Sequence, residues 1–236
     1  MKTRMNSLAF GLATVAVLLL TGCDIKLAGE NGVIDFHPDD CGMYTLGCNF
    51  DKPIVVGGTI EVRLVGNMGA SAPTLRSEDE TLLSVTPSES GKPRRFEVEA
   101  LGEGATTLMV LDQQGDIVDR IAISTTTFEG LRVRPFLNVP EEPDTDIEGA
   151  QTFRVPQDKI VAFWVGPDVG DDWMVMGELS FELIDTSDEV LKAMEAEEST
   201  NVEAGYISFR MPAGSHQMVL GTNDGNHMIS LMFIAE

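Results

Sequence analysis

The side chains that most often do chemistry are few in this sequence, and no catalytic motif joins them. The three histidines are His37, His216 and His227. His216 and His227 flank the turn 222–225, a strong hairpin signal, so they lie roughly 13 to 20 Å apart and cannot share a zinc ion. Each is predicted to be a surface strand residue. The sequence has no Gly-x-Ser-x-Gly elbow, His-Glu-x-x-His pair or glycine-rich phosphate loop, so we predict no catalytic residue, no cofactor and no enzyme activity.

Two groups of carboxylates are the candidates for a metal site. Three aspartates surround the turn at 112–119, and three more lie in the loop 166–173. Hard oxygen ligands of this kind suit calcium. The 12-residue EF-hand pattern is absent and acidic turns are common in an acidic protein, so we predict no metal site and keep calcium as the alternative. Trp164, on a predicted strand, is expected in the core, whereas Trp173 is expected to be more exposed, with a role in ligand contact as the alternative.

Two of the three cysteines, Cys41 and Cys48, enclose a short loop with two glycines. In an exported chain these thiols most simply form a disulfide, which adds about 2 to 3 kcal/mol by restricting the unfolded chain. The alternative is a metal site with two cysteine ligands. It lacks further ligands at suitable spacing apart from His37.

The N-terminal residues have the layout of an export signal. Lys2 and Arg4 precede an apolar run over residues 8–20, and small residues follow. The run is about 13 residues long, whereas a membrane-spanning helix needs about 20. Leu20-Thr21-Gly22-Cys23 resembles the lipobox of bacterial lipoproteins.

The lipobox resemblance implies cleavage before Cys23, a diacylglycerol on its thiol and an acyl chain, such as palmitate, on its amine. Several acyl chains hold a folded domain on a membrane where a single chain is marginal. The expected location is a bacterial envelope, at the periplasmic face of the inner membrane or at the outer membrane or cell surface. Asp24 is a weak sign of retention in the inner membrane. The alternative is an ordinary cleaved signal with a cysteine at the cut.

The charge excludes one class of partner. Loss of Lys2 and Arg4 with residues 1–22 leaves 214 residues with 14 bases and 38 acids, a net charge of −24. Such a chain lacks the basic face that nucleic acid requires, and it does not adsorb to anionic lipid by charge. The predicted partners are a lipid bilayer, through the acylated Cys23, and a protein or glycan ligand.

From Pro53 onward the pattern is that of short strands. Residues 59–65 and 95–101 alternate apolar and polar side chains, and residues 81–85, 107–111 and 117–124 are further short runs bounded by turn residues. Regular strands without intervening helices predict an antiparallel β-sandwich.

The motifs Arg76-Ser77-Glu78-Asp79 and residues 98–108 resemble the bacterial immunoglobulin-like group 2 domain over about residues 51–127. That resemblance implies an adhesive or spacer module without catalytic residues.

The second half of the chain repeats the first. Residues 160–165 align with 60–65, and 214–225 align with 104–115. A repeat of about 100 to 110 residues is the length of one sandwich, with chance alignment of β-rich sequence as the alternative. Within this half, the capping box of Thr186 and Glu189 favours a short helix or an irregular insert within residues 185–200. The alternative, which the repeat favours, is a turn and a short strand.

We therefore predict an all-β protein of two tandem immunoglobulin-like antiparallel sandwiches after a lipoprotein signal peptide. The predicted segments are a signal (1–22), a tether with the Cys41–Cys48 loop (23–50), and sandwiches at 51–128 and 129–236. The predicted role is a membrane-anchored binding, adhesion or spacer module. The alternative role is an accessory structural subunit of an envelope complex.

Overall fold

The computed structural model describes residues 27–40, 50–67, 73–88, 94–144, 146–147, 150–170 and 175–236. Within these residues the chain forms 17 β-strands in four sheets and one α-helix. Two sheets come from the first half of the chain and two from the second, and each pair encloses its own apolar core. The predicted all-β fold of two tandem sandwiches is confirmed.

The strand order in the first sandwich is that of an immunoglobulin domain. One sheet contains, in spatial order, β1 (Leu27–Ala28), β2 (Ile34–Asp40), β4 (Thr59–Gly66), β7 (Arg95–Ala100) and β6 (Leu83–Pro87). The other contains β3 (Ile54–Val55), β9 (Ile117–Thr126), β8 (Gly104–Leu111) and β5 (Thr74–Ser77). The strands β3 and β9 are parallel. Apart from β1 and β3, the two sheets correspond to the A-B-E-D and G-F-C sheets of that fold.

The alternation of apolar and polar side chains determines which face of β4 is buried. Ile60, Val62 and Leu64 are buried in the core, whereas Glu61 and Arg63 are partly exposed on the outer face. The alternation predicted for residues 59–65 is therefore confirmed, and it follows from the two-residue period of a strand.

Part of the segment 23–50, predicted to be a tether, contributes to the first sheet. Residues Ile34–Asp40 of this segment form β2. Ile34 and Phe36 are fully buried. The strand β1 pairs with β2 as a hairpin, so the sheet begins at residue 27.

The second sandwich repeats the arrangement of the first. One sheet contains β10 (Gly130–Leu137), β13 (Ile160–Asp168) and β15 (Tyr206–Arg210). The other contains β11 (Asp146–Ile147), β12 (Ala150–Val155), β17 (Met228–Ala235), β16 (Ser215–Thr222) and β14 (Phe181–Thr186). The strands β12 and β17 are parallel, as β3 and β9 are. The predicted repeat therefore aligns β4 with β13 and β8 with β16, and the two strands of each pair occupy equivalent places in the two sandwiches.

The register of that repeat differs by one residue from the sequence alignment. Ile60 is buried, but Ile160, the residue aligned with it, is partly exposed, and Val161 has the buried position. A shift of one residue moves every side chain of a strand to the opposite face. Trp164 consequently lies on the outer face and is partly exposed, so its predicted place in the core was wrong.

The short helix predicted in the second half is α1 (Asp188–Glu195), which follows β14 where the first sandwich has strand β6. Ser187 is its N-cap, since its hydroxyl accepts a hydrogen bond from the Val190 amide. Val190 and Met194 are buried in the second core. No helix in the described part of the chain is both long and apolar enough to cross a bilayer.

Candidate functional site

A backbone ladder joins the two sandwiches. The amide of Val55 donates to the carbonyl of Met176 at 2.8 Å, and the amide of Met176 donates to the carbonyl of Pro53 at 2.8 Å. Thr59 and Glu178 exchange two further hydrogen bonds of 3.1 and 2.8 Å. The segment before β14 is therefore bonded to Pro53, to β3 and to the first residue of β4 in the first sandwich.

Two glycines allow this close approach. A Cβ atom on Gly58 would lie 2.9 Å from the carbonyl oxygen of Val55 and 3.1 Å from the Cα of Gly177. Gly177 has a φ of +110°, a conformation that side chains disfavour. Both positions are therefore restricted to glycine by the junction itself.

The sandwiches also exchange side chains across the junction. Met176, from the second half of the chain, is fully buried in the core of the first sandwich. Val55, from the first half, is fully buried in the core of the second. Since burial of an apolar side chain contributes about 1.5 to 3 kcal/mol, these two residues tie the sandwiches into one body.

A cleft of about 680 Å³ lies beside this junction, and we call it the interdomain cleft. Its walls come from both sandwiches and combine polar and apolar groups. The residues that line it are Val56, Gly57, Thr59, Glu99, Thr127, Phe128, Glu178, Leu179, Ser180, Thr222, Asn223, Asp224, Asn226 and His227. Clefts of about 300 to 1,000 Å³ between domains are common ligand sites. The interdomain cleft is therefore the candidate functional site.

One end of the cleft has an aromatic pair beside an ionised carboxylate. The rings of Phe128 and His227 lie 4.1 Å apart between centroids. The hydroxyl of Thr222 donates to Asp224 at 2.5 Å, and the Asn226 amide donates to it at 3.0 Å. These hydrogen bonds hold the pKa of Asp224 below its usual value, so it is a carboxylate at neutral pH.

A second cavity of about 350 Å³ shares Thr59, Glu178 and Ser180 with the cleft and adds Glu97 and Glu203. Together the cavities present carboxylates, hydroxyls and amides, which bind and orient a polar ligand. This arrangement suits recognition of a ligand by hydrogen bonds and by contact with the Phe128 ring.

The structure separates the three histidines. His227 lines the cleft. His216 is buried, and its ring nitrogens lie 2.9 Å from Ser187 Oγ and 3.0 Å from the carbonyl oxygen of Ala213, so its predicted surface position was wrong. His37 is also buried, and its Nε2 has no hydrogen-bond partner among the described residues.

The carboxylates of the turn 112–119 accept backbone hydrogen bonds at two separate places. Asp112 accepts from the amides of Gln114 and Asp116 within the turn. Asp119 is fully buried, and its carboxylate accepts hydrogen bonds from the β1–β2 hairpin.

Some of the predicted site residues lie outside the described part of the chain. They are residues 171–174 of the second acidic loop, and Cys23, Cys41 and Cys48. The predicted acylation of Cys23 and the predicted Cys41–Cys48 disulfide therefore involve residues outside the described part of the chain.

Sequence reasoning did not identify the cleft, because its walls come from segments far apart in the chain. Phe128 lies in the connection between the sandwiches, Glu99 lies on β7, and Glu178 lies before β14. The local signals were Gly57-Gly58 and Gly177, which mark a close backbone approach when they occur next to strands.

The comparisons with known proteins concern the fold alone. No protein-family model and no curated protein matches the sequence. Among solved structures, domains 4–9 of the surface-layer protein SbsC align with 85% of this chain and 31% of their own length, at 12% identity and a TM-score of 0.30. The Bacteroides ovatus mixed-linkage glucan utilization protein SGBP-B, in complex with a heptasaccharide, aligns with 81% of this chain and 43% of its own length, at 15% identity and a TM-score of 0.31.

The Yersinia pseudotuberculosis adhesin InvE aligns with 78% of this chain and 56% of its own length, at 13% identity and a TM-score of 0.27. This chain thus spans less than two thirds of the length of each of these three structures. Its immunoglobulin-like architecture is established by its own strand order and by the parallel pairs β3–β9 and β12–β17. The chain is an all-β protein of two immunoglobulin-like sandwiches.

Proposed function

We propose that this protein is a non-enzymatic module of a bacterial cell envelope, held at a membrane through Cys23, whose coupled sandwiches bind a ligand. The observation that supports binding best is the reciprocal burial of Val55 and Met176. Because each side chain belongs to the opposite core, the walls of the interdomain cleft hold fixed relative positions. A pre-formed cleft loses less conformational entropy on binding than one between loosely tethered domains.

The proposed anchor places the first sandwich close to the bilayer. Acylated Cys23 precedes Leu27, the first residue of β1, by four positions. A fully extended chain of that length spans about 14 Å, so the anchor holds the first sandwich within a short distance of the headgroups. The net charge of −24 for residues 23–236 repels anionic lipid, so attachment depends on the acyl chains.

Two finer assignments belong to the same proposal. The disulfide between Cys41 and Cys48 closes the loop that follows β2 in an oxidising compartment. Residues 51–127 are a group 2 immunoglobulin-like domain, an assignment supported by the turn Ser77-Glu78-Asp79 between β5 and β6. The Ser77 hydroxyl donates to the carbonyl of Asp79 at 2.7 Å, which stabilises that turn.

Acylation is tested by producing the full chain in a bacterial host with labelled palmitate. The wild-type chain incorporates the label and fractionates with membranes, and Cys23→Ser abolishes both. Mass spectrometry of the mature N-terminus identifies the acylated residue. An unmodified N-terminus, or one at a different residue, contradicts the anchor.

Binding is tested with the tagged full chain, using envelope extracts and a glycan array as probes. We expect a ligand whose capture is lost on Phe128→Ala, because this ring forms the aromatic wall of the cleft. Ile117→Ala is the matched control, since Ile117 is 50% exposed and lies away from the cleft lining. If both variants capture a ligand equally well, the ligand binds outside the cleft. If no ligand is captured and deletion of the protein leaves the envelope unchanged, the proposed binding role is wrong.

The second candidate function is an accessory subunit of an envelope complex. The edge strand β14 favours it, since exposed Glu182, Ile184 and Asp185 lie on a strand with one unpaired side among the described strands. Crosslinking in cells discriminates between the two candidate functions. One crosslinked partner in stoichiometric amounts favours the accessory subunit, whereas many crosslinked ligands favour an adhesive module.

A further inference from the structure

The interdomain cleft adjoins the second cavity, and we call the two together the trough. The cavities share Thr59, Glu178 and Ser180 as common walls. The outer face of β7 forms one side of the trough, with Glu99 in the cleft and Glu97 in the second cavity. The trough is therefore elongated along β7, so that a ligand longer than either cavity can lie in it.

The lining of the trough is strongly acidic. Among the described residues it contains neither lysine nor arginine, and His227 is its one side chain that can carry a positive charge. Its five carboxylates come from both sandwiches, and they are Glu97, Glu99, Glu178, Glu203 and Asp224. Like charges brought together at a junction repel one another. A ligand that supplies positive charge therefore relieves a repulsion that is present in the unliganded protein.

Three of these carboxylates are available to a ligand. Glu97, Glu99 and Glu203 are exposed, and within the described part of the chain none of them has an ion pair or a side-chain hydrogen bond. The arginine that precedes them on β7, Arg95, is paired with carboxylates of its own sheet. The charge that neutralises the three carboxylates therefore comes from outside the chain.

The spacing of the carboxylates favours an extended cation over a metal ion. No group of three or more acidic, histidine or cysteine side chains among the described residues is placed to hold one metal ion. Glu97 and Glu99 are two residues apart on one face of a strand, so their Cα atoms are about 7 Å apart. That distance resembles the separation of two amines joined by a four-carbon linker. The apolar lining from Val56 and Phe128 suits the methylene groups of such a linker.

We propose that the trough binds a linear polyamine, an inference that rests on the proposed binding role of the cleft. Each amine pairs with a separate carboxylate by charge-assisted hydrogen bonds, and the linkers lie along β7. The cavities are concave and measure about 680 and 350 Å³, which is the range of small-molecule sites, so a slim ligand is favoured over a folded basic protein. The net charge of −24 for residues 23–236 attracts cations toward the protein.

The test is calorimetric titration of the full chain with spermine at low salt, with magnesium chloride as the control for general counter-ion adsorption. We expect one saturable site for spermine and none for Mg²⁺. Glu97→Gln and Glu203→Gln should each weaken spermine binding about threefold, and the double variant about tenfold, the usual effect of losing exposed ion pairs. Glu142→Gln, an equal loss of charge at an exposed residue outside the trough lining, is the matched control and should bind as the wild type does.

Thermal unfolding separates the loss of a ligand contact from the loss of the fold. Without ligand, the double variant of Glu97→Gln and Glu203→Gln should be at least as stable as the wild type, because it removes repulsion across the junction. Spermine should raise the unfolding temperature of the wild type more than that of the double variant, because it binds the folded wild type more tightly.

Three results overturn the proposal: no saturable spermine site, equal binding of Mg²⁺, or spermine binding unaffected by the double variant. Tighter binding of a lysine peptide with the same charge as spermine also overturns it, because the trough then recognises a basic polypeptide. Capture of a Phe128-dependent ligand from envelope extracts, without spermine binding, refutes the polyamine alone. If neither is observed, the proposed binding function of the cleft is refuted as well.

Discussion

Gly29 packs directly on the carboxylate of Asp119, 90 residues further along the chain. A Cβ atom at residue 29 would lie less than 3.0 Å from three carboxyl atoms of Asp119. The same carboxylate accepts hydrogen bonds of 2.8 to 2.9 Å from the amides of Asn31, Val33 and Ile34. The β1–β2 hairpin is thus fixed to β9, and it is the part of the sandwich nearest to the proposed anchor.

The first prediction concerns Gly29. Gly29→Ala should lower the free energy of unfolding by about 1 to 3 kcal/mol, because the new methyl group overlaps the buried carboxylate and displaces the hairpin. Urea unfolding at neutral pH measures the change. Gly130→Ala is the control, since a Cβ there meets nothing within 4 Å, and it should leave stability nearly unchanged. Equal effects of the two substitutions would contradict the packing of Gly29 on Asp119.

The second prediction concerns pH. Burial opposes ionisation of Asp119, yet the amides of Asn31, Ile34, Arg120 and Val33 hold its pKa below its usual value. A depressed folded-state pKa gives stability that is present above the unfolded pKa of about 3.9 and is lost as the pH falls through the folded pKa.

Asp119→Asn should therefore cost about 1 to 3 kcal/mol at pH 7, because the neutral amide replaces a charged acceptor and one amide oxygen replaces two carboxylate oxygens. It should also flatten the loss of stability below about pH 4. Urea unfolding at several pH values checks both. A variant whose stability falls with acid as steeply as the wild type would show that another carboxylate governs this range.

The third prediction concerns the coupling of the sandwiches. Met176→Ala should lower stability by about 2 to 5 kcal/mol, because it opens a cavity in the first core, and it should separate unfolding into two transitions. Calorimetry measures the number of transitions. Met228→Ala, an exposed methionine, is the control and should retain a single transition. Two transitions already present in the wild type would mean that the exchange of side chains does not couple the modules.

The fourth prediction concerns the cap of α1. Ser187→Ala should cost about 1 kcal/mol, since the Val190 amide loses its acceptor and His216 loses its contact with Ser187 Oγ. Ser187→Asp should restore most of the loss, because aspartate caps equally well. Leu191→Ala, at a position 40% exposed, controls for general helix destabilisation. Thermal unfolding ranks the three variants, and a Ser187→Ala protein as stable as the wild type would exclude a role for the cap.

Local patterns predicted the elements but not their precise pairing. Alternation over residues 59–65 identified β4 and its buried face. The capping box of Thr186 and Glu189 indicated the helix α1, although the N-cap is the next residue, Ser187. The repeat was found with a register error of one residue. That error is small along the chain, but it reverses the two faces of a strand, and so Trp164 was expected in the core.

The sequence by itself determined that this protein is a pair of β-sandwiches, because side-chain alternation and turn residues act over a few neighbouring positions. Only the tertiary structure decided that Val55 and Met176 exchange cores and that Phe136, Trp164 and Tyr206 meet on one face. Those contacts join strands separated by tens of residues or more. They depend on which strands become neighbours and in which register, and neither is encoded in the local pattern of a single strand.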